Sequence, residues 1–375
     1  MRVAVVSHAC VVETNQRLFD ELCGRGDVEL LMIAPRRWRA STGVVVDYQP
    51  LPGASFQSRP LPVIGSGQIS LHLYRGLASA LRRFKPDIVY LDEEPYSLAA
   101  WQVLRICQPG GYPLCFATEQ NLMKRFPWPF SRLERRTLDY AGLALPSSPA
   151  AADVLRAKHF DGEIVVIPHS VDTAAFRPMD ASDLRVELGV TSPVIGYLGR
   201  LAEEKGLEDL TRAAEMLWER GVDASVLIVG GGRMADGLRA WCRRWPEGRA
   251  ALTGPVPHSA APQYINVFDV MALPSRTMPN MREQFGRVLL EAAACEVPVV
   301  GSHSGNIPRL IEELGSGVLF REWDPAALAD ALQELIEDPD QRARLGRRGR
   351  RNAERLYGLR TVADRLYEAL SAVLD

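Results

Sequence analysis

Two cations and two carboxylates stand out by type and spacing. Arg200 and Lys205 lie five residues apart in Gly199-Arg200-Leu201-Ala202-Glu203-Glu204-Lys205-Gly206, directly after the apolar run Val194–Leu198. Far downstream, Glu283 and Glu291 lie eight apart in Glu283-Gln284-Phe285-Gly286-Arg287-Val288-Leu289-Leu290-Glu291. A strand-to-helix turn bearing Arg and Lys suits a diphosphate, because fixed cations and a helix N-terminus both stabilise phosphate charge. When a group departs from that diphosphate, negative charge builds on the phosphate oxygen, and preorganised cations there lower the barrier. Gly286 and Arg287 read as the start of a helix whose first N–H groups, at 286–289, point at phosphate. Glu291 then stands roughly one and a half turns in. It interrupts an otherwise apolar run at 288–295, where a carboxylate needs a partner. It is placed to accept from ribose hydroxyls, and Glu283, in the preceding loop, from sugar hydroxyls. The chemistry is that of holding a nucleotide diphosphate-sugar and breaking its anomeric bond. The plainer alternative is a pair of surface cations beside Glu203 and Glu204 and an ordinary helix with a solvated Glu at each end.

Composition narrows the setting. A chain of 375 residues exceeds one ordinary domain and suggests two. The net charge of −2 and pI near 6.4 give no reason to expect nucleic acid as a partner. The six cysteines are scattered with no C-x-x-C pair, as in a reduced, cytoplasmic thiol complement rather than a disulfide frame. No His/Cys/Asp cluster has metal-ligand spacing, so no metal is expected. The N-terminal apolar run is too short for a signal peptide and reads as a first strand. Nowhere is there an uninterrupted apolar stretch of the roughly 18 residues that span a bilayer. Any membrane contact is expected to be peripheral, on the inner face.

Short apolar runs alternate with helical stretches from end to end. In the first half they fall at 3–6, 28–33, 88–91, 114–117, 143–145 and 164–167, and in the second at 194–198, 225–229, 250–253, 270–273, 297–301 and 318–320. Continuous β-branched runs separated by helices mean buried parallel strands joined by βαβ crossovers. Two such series predict an α/β chain of two doubly wound domains. The expected division is an N-terminal domain over 1–167, a C-terminal domain over 168–355 and a closing helix over 356–375 that packs back on the N-terminal domain. The Pro/Gly/Ser-rich region 35–70 reads as a long loop or short strands.

Further candidates sit in the first half. Asp92, Glu93 and Glu94 follow a buried strand at its C-terminal end, where open α/β sheets bind ligands. They suit a polyhydroxylated or cationic acceptor; the alternative is capping of the next helix. His8 also ends a strand, either touching ligand or shaping the loop, and His169 reads as structural. Arg36-Arg37-Trp38-Arg39 and Lys124-Arg125-Phe126-Pro127-Trp128-Pro129-Phe130 mix cations with aromatics. They could grip an acceptor, touch anionic lipid, or simply pack as loops. The Arg-dense segment 342–355 reads as a solvated helix face, with an anionic surface as the sharper alternative.

The two central segments, with Glu296-Val297-Pro298-Val299-Val300-Gly301-Ser302 and Gly315-Ser316-Gly317-Val318-Leu319-Phe320, closely resemble the retaining family 4 glycosyltransferases of GT-B fold. The match runs from about Ile164 to Phe320. The resemblance implies two Rossmann-like domains facing a deep cleft, the N-terminal one for the acceptor and the C-terminal one for the nucleotide-sugar. It implies a UDP- or GDP-sugar as co-substrate, no other cofactor, and no metal for the diphosphate, since Arg200 and Lys205 take its place. Glu291 corresponds to the ribose ligand and Glu283 to the donor-sugar ligand. Gly199, Val256, Phe285, Gly286, Arg287, Val288 and Asn306 fall at donor-binding positions. The acceptor attacks on the face from which the nucleotide leaves, the departing phosphate oxygen helps to take its proton, and the configuration is retained.

Three places depart from that pattern. The usual Gly-rich loop after the first strand reads Ser7-His8-Ala9-Cys10-Val11-Val12-Glu13-Thr14-Asn15-Gln16, where Asn15 is the candidate contact. Where many members carry a His, this chain reads Ala117-Thr118-Glu119-Gln120-Asn121. Gln120 can hydrogen-bond a sugar hydroxyl but cannot act as a base. Glu119 and Asn121 complete the acceptor-side candidates with Glu93 and Glu94. Ser304-Gly305-Asn306-Ile307-Pro308-Arg309 replaces a Gly-Gly and Glu, so Arg309 can alter sugar choice. The acceptor is left open as a sugar, a lipid-linked group or a small molecule. Two rival readings remain: a same-fold phosphorylase or epimerase, and a non-catalytic nucleotide-sugar binder.

Overall fold

The computed structural model describes residues 1–40, 43–190 and 193–374. It comprises two compact units, Met1–His169 with Leu359–Asp375, and Ser170–Gly358.

In the first unit the strands are β1 (Arg2–Ser7), β2 (Glu29–Pro35), β3 (Arg37–Arg39), β4 (Val45–Asp47), β5 (Gln57–Leu61), β6 (Val63–Ile64), β7 (Leu73–Tyr74), β8 (Ile88–Asp92), β9 (Leu114–Thr118), β10 (Leu143–Pro146) and β11 (Glu163–Ile164). Seven of them form a sheet in the order β11-β10-β9-β8-β1-β2-β5, parallel throughout. Its central strands are buried on both faces, which is why their sequences are continuous rather than alternating. Val6, Ile33, Leu91 and Phe116 pack on one face. Val5, Met32, Tyr90 and Cys115 pack on the other. The region 35–75 supplies the antiparallel pairs β3–β4 and β6–β7 and the edge strand β5. β5 reads Gln-Ser-Arg-Pro-Leu, with a proline that only a sheet edge tolerates, so no apolar run announces it.

The second unit contains β12 (Val194–Leu198), β13 (Ser225–Val229), β14 (Ala250–Leu252), β15 (Val270–Leu273), β16 (Val299–Ser302) and β17 (Gly317–Phe320). They form a six-stranded parallel sheet in the order β14-β13-β12-β15-β16-β17. In both sheets the chain winds outward from a central strand and then returns to that strand's other side. The strand order therefore reverses between β1 and β8 in one unit and between β12 and β15 in the other. At such a switch point the flanking crossovers lie on opposite faces and leave a crevice at the strands' C-terminal ends.

The C-terminal segment is not one helix from 356. The helix Pro339–Tyr357 ends at Gly358 and a new one runs Leu359–Ala372. Val362, Leu366 and Leu370 of the latter pack in the first unit with Phe19, Leu22 and Cys23. The Arg-dense helix Pro339–Tyr357 is only partly a solvated face. Arg342 donates to the carbonyls of Leu335 and Ile336 at 2.6 Å each, and Arg350 to that of Ala294 at 2.5 Å, so both cap the C-termini of neighbouring helices. Arg344, Arg347, Arg348, Arg351 and Arg355 are exposed.

Candidate functional site

The second unit gathers the central motifs at its switch point. The turn after β12 is held open by Tyr197, whose hydroxyl donates to the Arg200 carbonyl at 2.8 Å. It closes at Gly206, with φ of +66°, where a Cβ would lie 1.8 Å from the Pro274 carbonyl oxygen. Only glycine lets this turn lie against the end of β15. Lys205 is thereby brought to Glu283, Nζ to Oε2 2.6 Å, and Ser275 Oγ donates to the same oxygen at 2.7 Å. Arg200 is about half exposed and pairs with Glu204 at 2.7 Å, while Glu204 also meets Arg233 at 3.2 Å.

The loop carrying Glu283 is fixed from behind. Asn306 N–H donates to the Glu283 carbonyl at 3.2 Å, and Asn306 Nδ2 to the Phe285 carbonyl at 3.3 Å. Asn306 is buried, so its amide holds the loop. Gly286 N-caps the helix Arg287–Ala294 in the left-handed conformation and brings no capping side chain of its own. Phe285 is buried, Val288 half-buried and Arg287 exposed. Inside the helix Glu291 is buried and takes His258 as partner, Oε1 to Nε2 2.9 Å. His258 follows Val256, which is half-buried, and Pro257. His258 is marked by no local pattern, and Ser275 only as the last residue of the strand end Ala272-Leu273-Pro274-Ser275, because each meets its glutamate only through the fold. Arg309 pairs with Glu313 along its own helix at 2.7 Å.

The first unit places a second polar cluster at the ends of β1, β8 and β9. Glu93 is wholly buried. Its Oε1 accepts from the His8 backbone N–H at 2.7 Å and from the Tyr74 hydroxyl at 3.0 Å, and faces His72 Nε2 at 3.2 Å. Its Oε2 faces His8 Nδ1 at 2.6 Å. Burial acts to raise the Glu93 carboxyl, but His8 and His72 outweigh it and hold it down at about 2. For His8, burial acts to lower the ring, and the Glu93 charge and hydrogen bond overcome it, so the net shift is upward. The ligand-capable atoms of His8, His72 and Glu93 lie within 4.8 Å of one another, a grouping that sequence spacing does not reveal because three separate segments supply it.

Beside this cluster, Glu94 accepts from Thr118 Oγ1 at 2.8 Å and from the Glu119 backbone at 3.1 Å. Burial pushes Glu94 up to about 7, against those hydrogen bonds. Gln120 is bonded to Lys158 at 2.5 Å, and Lys158 also meets Glu134 at 2.5 Å. The Gln120 amide is thus engaged with a half-buried cation. Glu119 pairs with His169 at 2.7 Å, Asn121 is buried, and Asn15 Nδ2 donates to the Ala9 carbonyl at 2.7 Å within its own turn. Of the aromatic-basic segments, Phe126 stacks on Tyr96 at 3.9 Å, Trp128 is exposed, and Arg37 pairs with Asp47 at 2.5 Å. No helix among the described residues is long and apolar enough to cross a membrane.

Two doubly wound sheets, each with polar residues at its switch point, define a class that comparison with known proteins makes specific. Residues 182–352 match the family model described as glycosyl transferases group 1, and residues 15–175 match that of glycosyltransferase family 4. The chain belongs to this glycosyltransferase superfamily, in its GT-B branch. A 2-deoxystreptamine N-acetyl-D-glucosaminyltransferase of Streptomyces fradiae is 28% identical over 352 residues, 87% of this chain and 82% of that protein. A GDP-mannose-dependent monoacylated alpha-(1-6)-phosphatidylinositol monomannoside mannosyltransferase of Corynebacterium glutamicum is 32% identical over 213 residues, 55% of each chain, so the match spans about half the length of that relative. Among solved structures, the sucrose-phosphate synthase of Thermosynechococcus elongatus superposes with a TM-score of 0.76 at 19% identity over 100% of both chains. The Anabaena protein Alr3699/HepE in complex with UDP-glucose gives 0.74 at 19% identity over 99% of this chain and 100% of that one. At these identities the structures establish the fold.

Proposed function

We propose that the chain transfers a hexose from a UDP- or GDP-sugar to a hydroxyl of an acceptor, with retention of anomeric configuration. The observation that carries this is the Lys205–Glu283–Ser275 constellation at the β12/β15 switch point, in the same unit as the glycine-capped start of the helix Arg287–Ala294. Lys205 and Arg200 neutralise the diphosphate, and release of Arg200 from Glu204 frees it to do so. Glu283 takes donor-sugar hydroxyls and Glu291 the ribose, with His258 fixing the Glu291 carboxylate. Gly199, Val256, Phe285 to Val288 and Asn306 complete the donor site. Of these, Asn306 acts by anchoring the loop.

The first unit takes the acceptor, with Glu93, Glu94, Glu119, Gln120, Asn121 and Asn15 shaping its switch point. The named relatives act on 2-deoxystreptamine and on a phosphatidylinositol monomannoside, which supports a polyhydroxylated ring as acceptor, free or lipid-linked. Met123 and Trp128, exposed beside Lys124 and Arg125, favour peripheral contact with an anionic bilayer from the cytoplasmic side.

Thermal melting with a panel of nucleoside diphosphates and nucleotide-sugars tests the reading, since binding to the native state raises Tm by mass action. A rise with one nucleoside diphosphate and its sugar, lost in Lys205→Ala, is expected. No rise with any of them overturns the donor site.

A further inference from the structure

We propose that His8, His72 and Glu93 form a binding site for one divalent transition-metal ion of the zinc class. The site lies within the first unit, takes no part at the diphosphate, and stands or falls independently of the transfer reading.

The ring of His72 carries the argument furthest. Its Nδ1 lies 3.0 Å from the Ile69 carbonyl and 3.3 Å from that of Gln68. A carbonyl oxygen only accepts, so Nδ1 carries a proton. In the neutral ring Nε2 then holds the lone pair, and it faces Glu93 Oε1 at 3.2 Å. Two acceptors thus face each other where both side chains are wholly buried. Such a contact is favourable only with a cation between them, a proton or a metal ion. The proton is the poorer fit. Oε1 already accepts from the His8 backbone N–H at 2.7 Å and from the Tyr74 hydroxyl at 3.0 Å, which takes up both of its lone pairs. Oε2 has only His8 Nδ1, at 2.6 Å, as partner among the described residues.

The groups behind the ligands match those around a metal centre. A ligating histidine donates its other N–H to a backbone carbonyl, and a ligating carboxylate is itself hydrogen-bonded. His72 does the first through Ile69, and Glu93 the second through Tyr74 and the His8 N–H. The ligand atoms of the three residues lie within 4.8 Å of one another. In a tetrahedral zinc site with bonds of roughly 2.0–2.1 Å, neighbouring ligand atoms are about 3.4 Å apart. The His8–Glu93 pair therefore opens slightly to admit the ion.

Two imidazoles and one carboxylate select a borderline transition ion over Mg²⁺ or Ca²⁺, which take oxygen ligands. Asp92 and Glu119 act on the same ring of His8 and add negative charge to meet a dication. Entry is from the His8 side, where a fifth of the side-chain surface is accessible. Three protein ligands leave a fourth position for water. On binding, the metal takes the electron pair of His8 Nδ1, and the proton held there goes to solvent. The ion ties together the turn after β1, the segment before β7 and the end of β8, where the order of the first sheet reverses. Local spacing predicts no metal because these three ligands come from three separate segments.

The test uses the full chain, freed of metal by a chelator, with Co²⁺ and Zn²⁺ as probes. Co²⁺ is expected to bind as one ion per chain, with d–d bands in the visible, and Zn²⁺ to displace it. Bound Zn²⁺ should raise Tm and slow amide exchange around His8, His72 and Glu93. His8→Ala, at the partly exposed ligand, is expected to weaken Co²⁺ binding about 100-fold or more with circular dichroism unchanged. Tyr74→Phe keeps all three ligands and removes one hydrogen bond to Glu93, so it should weaken binding about tenfold. His303→Ala, at an exposed histidine outside the cluster, should bind as the wild type does. A wild type without d–d bands in excess Co²⁺ overturns the site and leaves the cluster held by protons alone. Equal binding by the wild type and His8→Ala also overturns it, as an adventitious ion only. Stabilisation of the metal-free protein by nucleoside diphosphates is scored separately, so failure of the transfer reading is told apart from failure of this one.

Discussion

At the scale of single residues, the proposed donor site is made of charges that already answer one another. Lys205 is paired with Glu283, Arg200 with Glu204, and Glu291 with His258. The Lys205–Glu283 and Glu291–His258 pairs hold each other in place before a ligand arrives, so little ordering is left to do there at the moment of reaction, whereas Arg200 must first leave Glu204. Lys205→Ala removes a cation from the developing phosphate charge and takes the Nζ partner away from Glu283 Oε2. It is expected to lower kcat by about 100- to 1,000-fold, with circular dichroism unchanged, and wild-type turnover would exclude Lys205 from the site. Glu291→Ala is expected to act differently, mainly raising KM for the donor, because ribose contacts are made equally in ground and transition states. A steady-state donor titration separates the two patterns. Arg200, Lys205, Glu283 and Glu291 were singled out by type and spacing, and the structure pairs Lys205 with Glu283. Their partners Ser275 and His258 were not, since a serine or a histidine in a loop carries no periodic signal.

At the scale of elements, what could be read followed burial. Eleven of the twelve apolar runs named from the sequence fall largely on strands of the two sheets, because strands buried on both faces must be continuous in apolar residues, whereas the run at 164–167 meets β11 (Glu163–Ile164) only at Ile164. The edge strand β5 escaped because its outer rim is solvated and its residues are polar. The acidic run at 92–94 marked the C-terminal end of β8, but not how its members divide. Glu93 is held at about 2 and Glu94 is raised to about 7, in adjacent positions. Glu94 therefore titrates abnormally, and the sign follows from its native value lying above the ordinary 4.5. Between those values the native state keeps a proton that the unfolded chain has released, so stability falls as pH rises from 4.5 to 7 and stays low above. The shift corresponds to at most about 3 kcal/mol. Glu94→Gln should abolish this loss, so the gap between variant and wild type in urea unfolding should be larger at pH 8 than at pH 5. Equal gaps would show that Glu94 ionises normally. Packing between helices makes an equally local demand. A Cβ on Gly346 would lie 2.0 Å from the Glu296 carbonyl oxygen, so the helix Pro339–Tyr357 lies against that backbone only because the position is glycine. Gly346→Ala is expected to destabilise by about 1–3 kcal/mol, read as a lower urea midpoint at unchanged slope.

At the scale of the whole molecule, the chain's ends belong to one unit although 189 residues of the other, 170–358, lie between them. The helix Leu359–Ala372 buries Val362, Leu366 and Leu370 in the core that contains Phe19 and Leu22 of the helix Arg17–Cys23. Asp364 meets Arg25 and Tyr367 meets Asp27 across the same surface. Each large apolar side chain removed from water contributes roughly 1.5–3 kcal/mol, and a domain's entire stability is about 5–15 kcal/mol. Three such side chains amount to a large part of what keeps the first unit folded. The second unit has a core of its own, built from β12 to β17 and their helices, to which none of these residues contributes. Ending the chain at Gly358 should therefore split the behaviour of the two units. Hydrogen exchange is expected to show deprotection of β1, β2 and the helix Arg17–Cys23, with β12 and β13 as protected as in the full chain. Nucleoside diphosphate should still stabilise the second unit in that shortened protein, while sugar transfer is lost because the acceptor side has melted. Uniform deprotection of both units would mean that their stabilities are coupled and that the closing helix supports the molecule as one cooperative body. Unchanged protection of β1 and β2 would mean that the first sheet is stable without the helix, and its burial would then serve chiefly to bring the end of the chain home.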